Sequence, residues 1–278
     1  MESEERVIEI NPTPSILASP FTMYSNISKN KGLLKNMISR DFKVNYYGHV
    51  LGYFWSLLEP LALTAIFFVV FVILRGDSDT LLPLKIMIGI LIFSAFSKTV
   101  IGCTSSLVAN SSLIQQVYFP REIFPTAIAG FRFMTLCLSI LIVIPYMIFE
   151  DLPLTKHMIL LPISMISIMI MGQGLGMMFA SLQVRIRDVK QVIDLILRAA
   201  FFLSGVFFGA EHIPPEHLDN FLLNPIAVFL EMGRAAVLGD TSLITDIQVV
   251  RSIAFSIFCF ILGSIIFVRS ERKAVKFL

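Results

Sequence analysis

The chain reads as an all-α integral membrane protein with six spans, on three observations. Six apolar stretches run from Leu51 to Val268, each close to the roughly 20 residues a helix needs to cross a bilayer. Hydrophobic residues make up 56% of the 278 and charged ones 15%, more apolar surface than a soluble chain of this size can bury. Lysine and arginine fall mainly on alternate connections, the pattern left by residues that resist translocation. That polarity places both termini on the cytoplasmic side, which the formal net charge of +2 conceals.

Taken in order, residues 1–30 begin acidic and carry Pro12, Pro14 and Pro20 among Ser, Asn and Thr. They are expected to form a poorly ordered cytoplasmic arm. An acidic start and a first long apolar run only after residue 50 argue against a cleavable signal. Over 31–47, Leu33, Leu34, Met37, Ile38 and Phe42 recur at helical spacing, opposite Lys35, Asn36, Ser39, Arg40 and Lys43. This predicts an amphipathic basic helix, lying in the membrane interface or docked on protein. The transmembrane region covers 48–270, with spans at 51–74, 82–106, 123–148, 157–182, 193–209 and 247–268. A basic tail follows at 269–278.

Tyr46, Tyr47, Tyr53 and Trp55 at the entrance to the first span fit an interfacial aromatic belt, or a stacking surface for a sugar. Gly172, Gly176 and Ala180 share one helix face at four-residue spacing and mark a packing seam. The connection 210–246 is too apolar for a solvated loop and too broken by Pro214, Pro215, Pro225, Gly233 and Gly239 for a full span. It is expected to dip into the outer leaflet as two short helices that line or close a pathway, because non-helical backbone at that depth needs protein or water around it.

Chemistry is conspicuous by what is missing. No GxxxxGK[ST] loop occurs, so the chain does not hold ATP in the P-loop manner, and HExxH is absent. His212 and His217 alternate with Glu211 and Glu216, but Pro214 and Pro215 keep a regular helix from aligning them, so a polar loop is expected rather than a metal site. Cys103, Cys137 and Cys259 fall in spans as small apolar fillers. No set of nucleophile, base and orienting acid assembles, and no nucleic-acid partner is indicated. The expectation is a non-enzyme without a metal or cofactor of its own.

Several local runs converge on one family. Arg40-Asp41-Phe42-Lys43-Val44-Asn45-Tyr46-Tyr47, then Val50 through Leu61, resembles the entry to the first span of type-2 ATP-binding-cassette permeases. The nearest branch exports O-antigen, capsular polysaccharide and teichoic acid. Leu113 to Glu122 is similar to that family's LI-x-x-VYFPRE loop, and likeness recurs in Val184–Val189, Phe202–Val206 and Asn224-Pro225 with Arg234. The resemblance implies a homodimer of six-span subunits served by two separate ATPase subunits, which hold the ATP and magnesium. Together they would move a lipid-linked polysaccharide outward across the cytoplasmic membrane; a drug or lipid exporter permease of the same fold is the alternative. It also implies an ATPase-coupling loop, here Gln115, Gln116, Tyr118, Arg121 and Glu122, acting beside Lys35, Arg40, Asp41 and Lys43 of the interface helix. Re-entrant helices would form the outer gate, with Glu211, Pro214, Asn224, Pro225 and Arg234 as its residues.

Lys98, Arg132 and Arg198 depart from the family pattern by lying inside spans. Each would cost about 2.5–3.5 kcal/mol facing lipid at mid-bilayer. Three roles are open: a basic lining, with Tyr53 and Trp55, that attracts phosphates of an anionic substrate; snorkelling; or pairing with Glu59, Asp188 or Asp194. Glu59 itself stands where the family commonly has a neutral polar residue.

Overall fold

The computed structural model describes residues 19–46, 52, 54–74, 76, 79–116 and 120–274; Tyr53 and Tyr118 lie outside them. Among the described residues the regular elements are all helical. Five stretches are long and apolar enough to cross a membrane. They are α3 (Phe54–Phe68) prolonged by a π-helical turn at Val69–Leu74; α4 (Leu82–Ala109); and α6 (Ile123–Ser139), running through a 3-10 turn into α7 (Val143–Phe149). The others are α8 (Leu160–Arg185) with its preceding 3-10 turn, and α12 (Asp246–Ala274).

At the centre stands α4, whose Leu84, Ile86, Ile88, Ile90 and Ile92 have no exposed surface. Hydrophobicity on every side, rather than one stripe, is what permits a helix to sit there. Against it packs α8, and against α8 packs α12. The contacts are glycine-mediated. A Cβ on Gly176 would strike Cys103 and the Val100 carbonyl of α4, one on Gly172 would press on Phe96, and one on Gly174 would lie 2.5 Å from the Cys259 carbonyl of α12. The small-residue seam is therefore used within one chain, between α8 and α4.

The fifth apolar stretch also differs from expectation. In place of a span over 193–209, α9 covers Val189–Leu203 and the chain turns at Gly205, whose φ is +69°. Fifteen residues give about 22 Å of helix at 1.5 Å per residue, short of a hydrocarbon core about 30 Å thick. Irregular chain makes up the rest, reaching a 3-10 turn at Ala210–His212 beside Lys85 near the start of α4. Val206 and Ala210 are buried on this path.

After it come α10 (Pro215–Phe221) and α11 (Pro225–Leu238), bent against each other by 108°. Asn224 caps α11 by accepting from the Ile226 amide, Pro225 sits at the first helical position, and Gly239 closes the helix with φ +76°. Every residue of α11 from Ala227 to Val237 is buried among α4, α8 and α12.

A second, smaller apolar core gathers at the other end of the bundle. Here α1 (Ser19–Lys29) lays Met23 against Phe267 and Val268 of α12. Part of the region expected to be a poorly ordered arm is thus a docked helix, because Met23 and Ile27 find an apolar surface that composition alone does not show. The 31–47 helix forms as α2 (Lys31–Tyr46), with Met37 buried and Lys35, Arg40 and Lys43 exposed. It lies on α6, where Gly130 leaves room for Ile38, and Phe42 and Tyr46 pack on Phe131.

The glycine crossing of α8 and α12 can be tested directly. Gly263→Ala would drive its new methyl into the Gly174 carbonyl; overpacking of this kind costs about 1–3 kcal/mol, so the detergent-solubilised chain should melt several degrees lower. Gly32→Ala, with nothing within 4 Å, should leave the melting temperature unchanged or slightly raised.

Candidate functional site

Three sets of polar groups stand out on this scaffold. The first lies where the non-helical segment 204–210 meets α11. Arg234 is 2% exposed and uses all five of its N–H groups. They go to the carbonyls of Gly205 (2.7 Å), Val206 (2.8 Å), Phe208 (3.2 Å) and Lys85 (3.1 Å), and to the Glu231 carboxylate at 2.6 Å. Glu231 in turn accepts from the Ala210 amide at 3.0 Å. One buried ion pair thus supplies the hydrogen bonds that a broken helix lacks. Gly89 makes the approach possible, since a Cβ there would collide with the Val206 carbonyl and lie 2.9 Å from the guanidinium.

Around this hub the outer segment is tied further. Asn224 donates to the Ser204 hydroxyl, and Arg251 of α12 donates to the Leu222 carbonyl. Lys85 bridges Asp79 and Glu211, at 2.7 Å each. Burial pushes both carboxyls up, yet the Lys85 hydrogen bonds, a backbone amide bond at each and the nearby positive charge together hold Asp79 and Glu211 below their ordinary values. Of the residues the sequence marked as an outer gate, Glu211, Asn224, Pro225 and Arg234 join this network, and Pro214 sets the start of α10. Asp79, Lys85, Gly89 and Glu231 were missed. An opposite charge pair at i and i+3 inside an apolar stretch was the one legible signal for Glu231.

The second set lines a cavity of about 200 Å³ bounded by α2, α3, α4 and α6. It brings together Trp55, Lys98 and Arg132, three of the residues expected on a substrate path. Lys98 is paired with Glu59 at 2.5 Å, with both side chains about half exposed. Ser56 donates to the Tyr46 hydroxyl at 2.8 Å. Arg132 has its guanidinium carbon 5.0 Å from the Phe131 ring centre, and its buried Nε has no hydrogen-bond partner. Arg198 lies elsewhere, on α9, paired with Asp194 at 2.6 Å. Pairing, one of the three roles left open, accounts for Lys98 and Arg198 but not for Arg132.

The third set is the surface loop around α5 (Ser111–Gln116). Ile114 is buried in the smaller core, leaving Gln115 and Gln116 exposed. Arg40, bound to Asp41, reaches Asn110 at 3.3 Å; Asn26 of α1 donates to Glu122 at 2.7 Å; Arg121 lies 4.0 Å from Glu271 of α12. Glu122 is 3% exposed, so it braces the loop from inside rather than presenting itself to a partner, as the sequence reading had it. Lys35 and Lys43 remain on the exposed face of α2.

Comparison with known proteins adds the following. Residues 32–238, from the start of α2 to the end of α11, match the family model described as ABC-2 type transporter. The chain is 25% identical over 208 residues to an O-antigen export system permease protein of Myxococcus xanthus, covering 74% of this chain and 80% of that one. It is 23% identical over 212 residues to an O-antigen export system permease protein of Klebsiella pneumoniae, covering 75% and 81%. A polysialic acid transport protein of Escherichia coli is 26% identical over 223 residues, covering 77% and 84%.

Two expected outcomes follow from the hub and its rim. Arg234→Lys keeps the charge but loses the five-donor fork, stranding buried carbonyls beside Glu231. Each buried acceptor left unsatisfied costs about 1–3 kcal/mol, and several are stranded, so the variant should lose most of its folded yield or melt far below wild type. For the Lys85 bridge the sign runs with the lowered carboxyls. Its contribution is full above the ordinary carboxylate range near pH 4 and is lost as pH falls through the depressed folded values. Thermal melts between pH 7 and 3 should show a steeper acid limb for wild type than for Lys85→Met.

Proposed function

The chain belongs to the ABC-2 type transporter family, and from that premise we propose that it is the membrane-spanning permease of an ATP-driven exporter that moves a polysaccharide outward across the cytoplasmic membrane. Its ATP and magnesium would be handled by two separate ATPase subunits, and two copies of this chain would enclose the path. The printed functions of the relatives, O-antigen export and polysialic acid transport, support a polysaccharide as cargo.

The observation that carries the reading is the pair of ion pairs left half exposed on helices that cross apolar surroundings. Glu59–Lys98 joins α3 to α4, and Asp194–Arg198 lies on α9. Lipid does not tolerate such groups; water or another protein surface must meet them. Both α3 and α9 flank α4 and have otherwise open faces, with Ile66, Ile73, Leu195, Ile196 and Phe202 exposed. That side is where a second copy would close a hydrated path. Phe67, Phe71, Phe201, Phe202 and Phe207 form a continuous aromatic wall beside it, suited to the C–H faces of sugar rings.

In this orientation the end bearing α2 and α5 is cytoplasmic. Gln115 and Gln116 form the exposed tip that meets the ATPase, and the bonds from Asn110, Arg121 and Glu122 pass its motion to α2, α12 and α1. The network around Arg234 is the outer gate, opening as the two copies move apart.

Expressing the chain with a candidate ATPase subunit of the same transporter class, and deleting each in turn, is the direct test. Loss of cell-surface polymer in both deletions is expected, as is a disulfide or bifunctional crosslink between Gln115→Cys and the ATPase. Intact surface polymer with altered sensitivity to drugs or lipids would favour the alternative exporter and contradict a polysaccharide cargo.

A further inference from the structure

We propose that the cavity between α2, α3, α4 and α6 is a binding site for the phosphate of a membrane amphiphile, with Arg132 as its anchor. This deepens the exporter reading and rests on it for the identity of the site's user, while the binding is measurable without transport.

The argument starts from Arg132. Counting along α6 at 1.5 Å per residue puts it about 14 Å from Ile123, where it shares a cavity with Tyr46 of α2 and Trp55 of α3. Among the described residues its buried Nε has no hydrogen-bond partner, and its guanidinium carbon lies 5.0 Å from the Phe131 ring centre. A half-buried guanidinium with one donor left unpaired carries a desolvation cost, and its outer nitrogens form a fork that matches phosphate oxygens. Lys98 lines the same cavity as a second cation, and Glu59 is the one carboxylate there. The lining therefore carries a net charge of about +1 with ordinary protonation.

Shape narrows the ligand. At about 200 Å³ the cavity falls below the roughly 300 Å³ at which pockets enclosing whole small molecules begin, so it takes a headgroup rather than a polymer. The hydroxyls of Ser56 and Thr135 add neutral donors and acceptors. Outside, the α3 surface beside the mouth is apolar, with Phe54, Leu58 and Leu61 exposed. A polar cavity with an apolar rim fits a phosphate carried on a hydrocarbon chain. Lys98, held by Glu59 at the mouth, is placed to exchange that carboxylate for a phosphate oxygen.

Trp55, the chain's single tryptophan, lines the cavity and reports on it. The full-length chain in detergent micelles is titrated with a polyprenyl phosphate and with the matching polyprenyl alcohol, with a phosphatidate and with the matching diacylglycerol, and with inorganic phosphate. A saturable change in Trp55 emission is expected for the phosphate-bearing amphiphiles and not for the alcohols. A tighter polyprenyl phosphate identifies a carrier lipid as the user, and a tighter phosphatidate a bilayer headgroup; both support the site. Arg132→Gln should weaken binding by at least about tenfold, the scale of one charge-assisted hydrogen bond, with Arg132→Lys intermediate. Glu59→Gln should strengthen it by freeing Lys98. Equal responses to phosphates and alcohols, or inorganic phosphate as potent as the amphiphiles, would overturn the proposal, as would an unchanged midpoint in Arg132→Gln. If Arg132→Gln fails to fold, the phosphate-against-alcohol contrast in wild type and the Arg132→Lys midpoint still decide it. Such a failure would leave the loss of surface polymer on deletion, and hence the exporter reading, intact.

Discussion

One guanidinium permits the rest of this architecture. A chain crossing a bilayer must satisfy every backbone polar group internally, and α9 ends at Leu203 with the crossing unfinished. The carbonyls of Gly205, Val206 and Phe208 would then sit in an apolar setting with no helical partners. Arg234 takes all three, and the Lys85 carbonyl besides, while Glu231 balances its charge and holds the Ala210 amide. Because the anchor sits on α11 and its target runs beside α4, the same bonds fix α11 and the segment before it against the central helix. The geometry of this segment thus rests on a buried ion pair whose guanidinium serves four carbonyls as well as the Glu231 carboxylate.

That arrangement suits a part that must both seal and move. A continuous helix would have closed the segment rigidly. Here six residues of irregular chain, 204–209, are held by the side chains of Arg234 and Asn224, and side-chain bonds can be exchanged without unfolding a helix. At the opposite end the logic is reversed. There α1, α2 and α12 hold Glu122, Asn110 and Arg121 through polar contacts beside a small apolar core, and among the described residues Gln115 and Gln116 are left exposed.

Much of this was legible before any coordinates. Long apolar runs at 82–106, 123–148, 157–182 and 247–268 become helices close to those bounds, since hydropathy over 20 residues leaves little choice. The 31–47 segment does form a helix, α2, and prolines do break the 210–246 connection into short helices, because periodicity and proline are local signals. What failed was tertiary. Ser204-Gly205-Val206-Phe207-Phe208 is as apolar as a helix and looks like one until Gly205 adopts φ +69°. Gly89 reads as an ordinary small residue, and its need appears only when the Val206 carbonyl arrives. The helix at Ser19–Lys29 hid behind a polar, proline-bearing composition. Lys98 and Glu59, 39 residues apart, were named as possible partners, but only the fold could choose between that pairing and the others.

The most direct measurement is hydrogen–deuterium exchange over residues 204–212 with the chain in lipid nanodiscs. If the Arg234–Glu231 pair holds this backbone inside the protein, the Ala210 amide should exchange on the slow timescale of the buried α4 amides. Exchange within seconds, as for a solvated loop, would mean that the segment is not held there and would contradict the account.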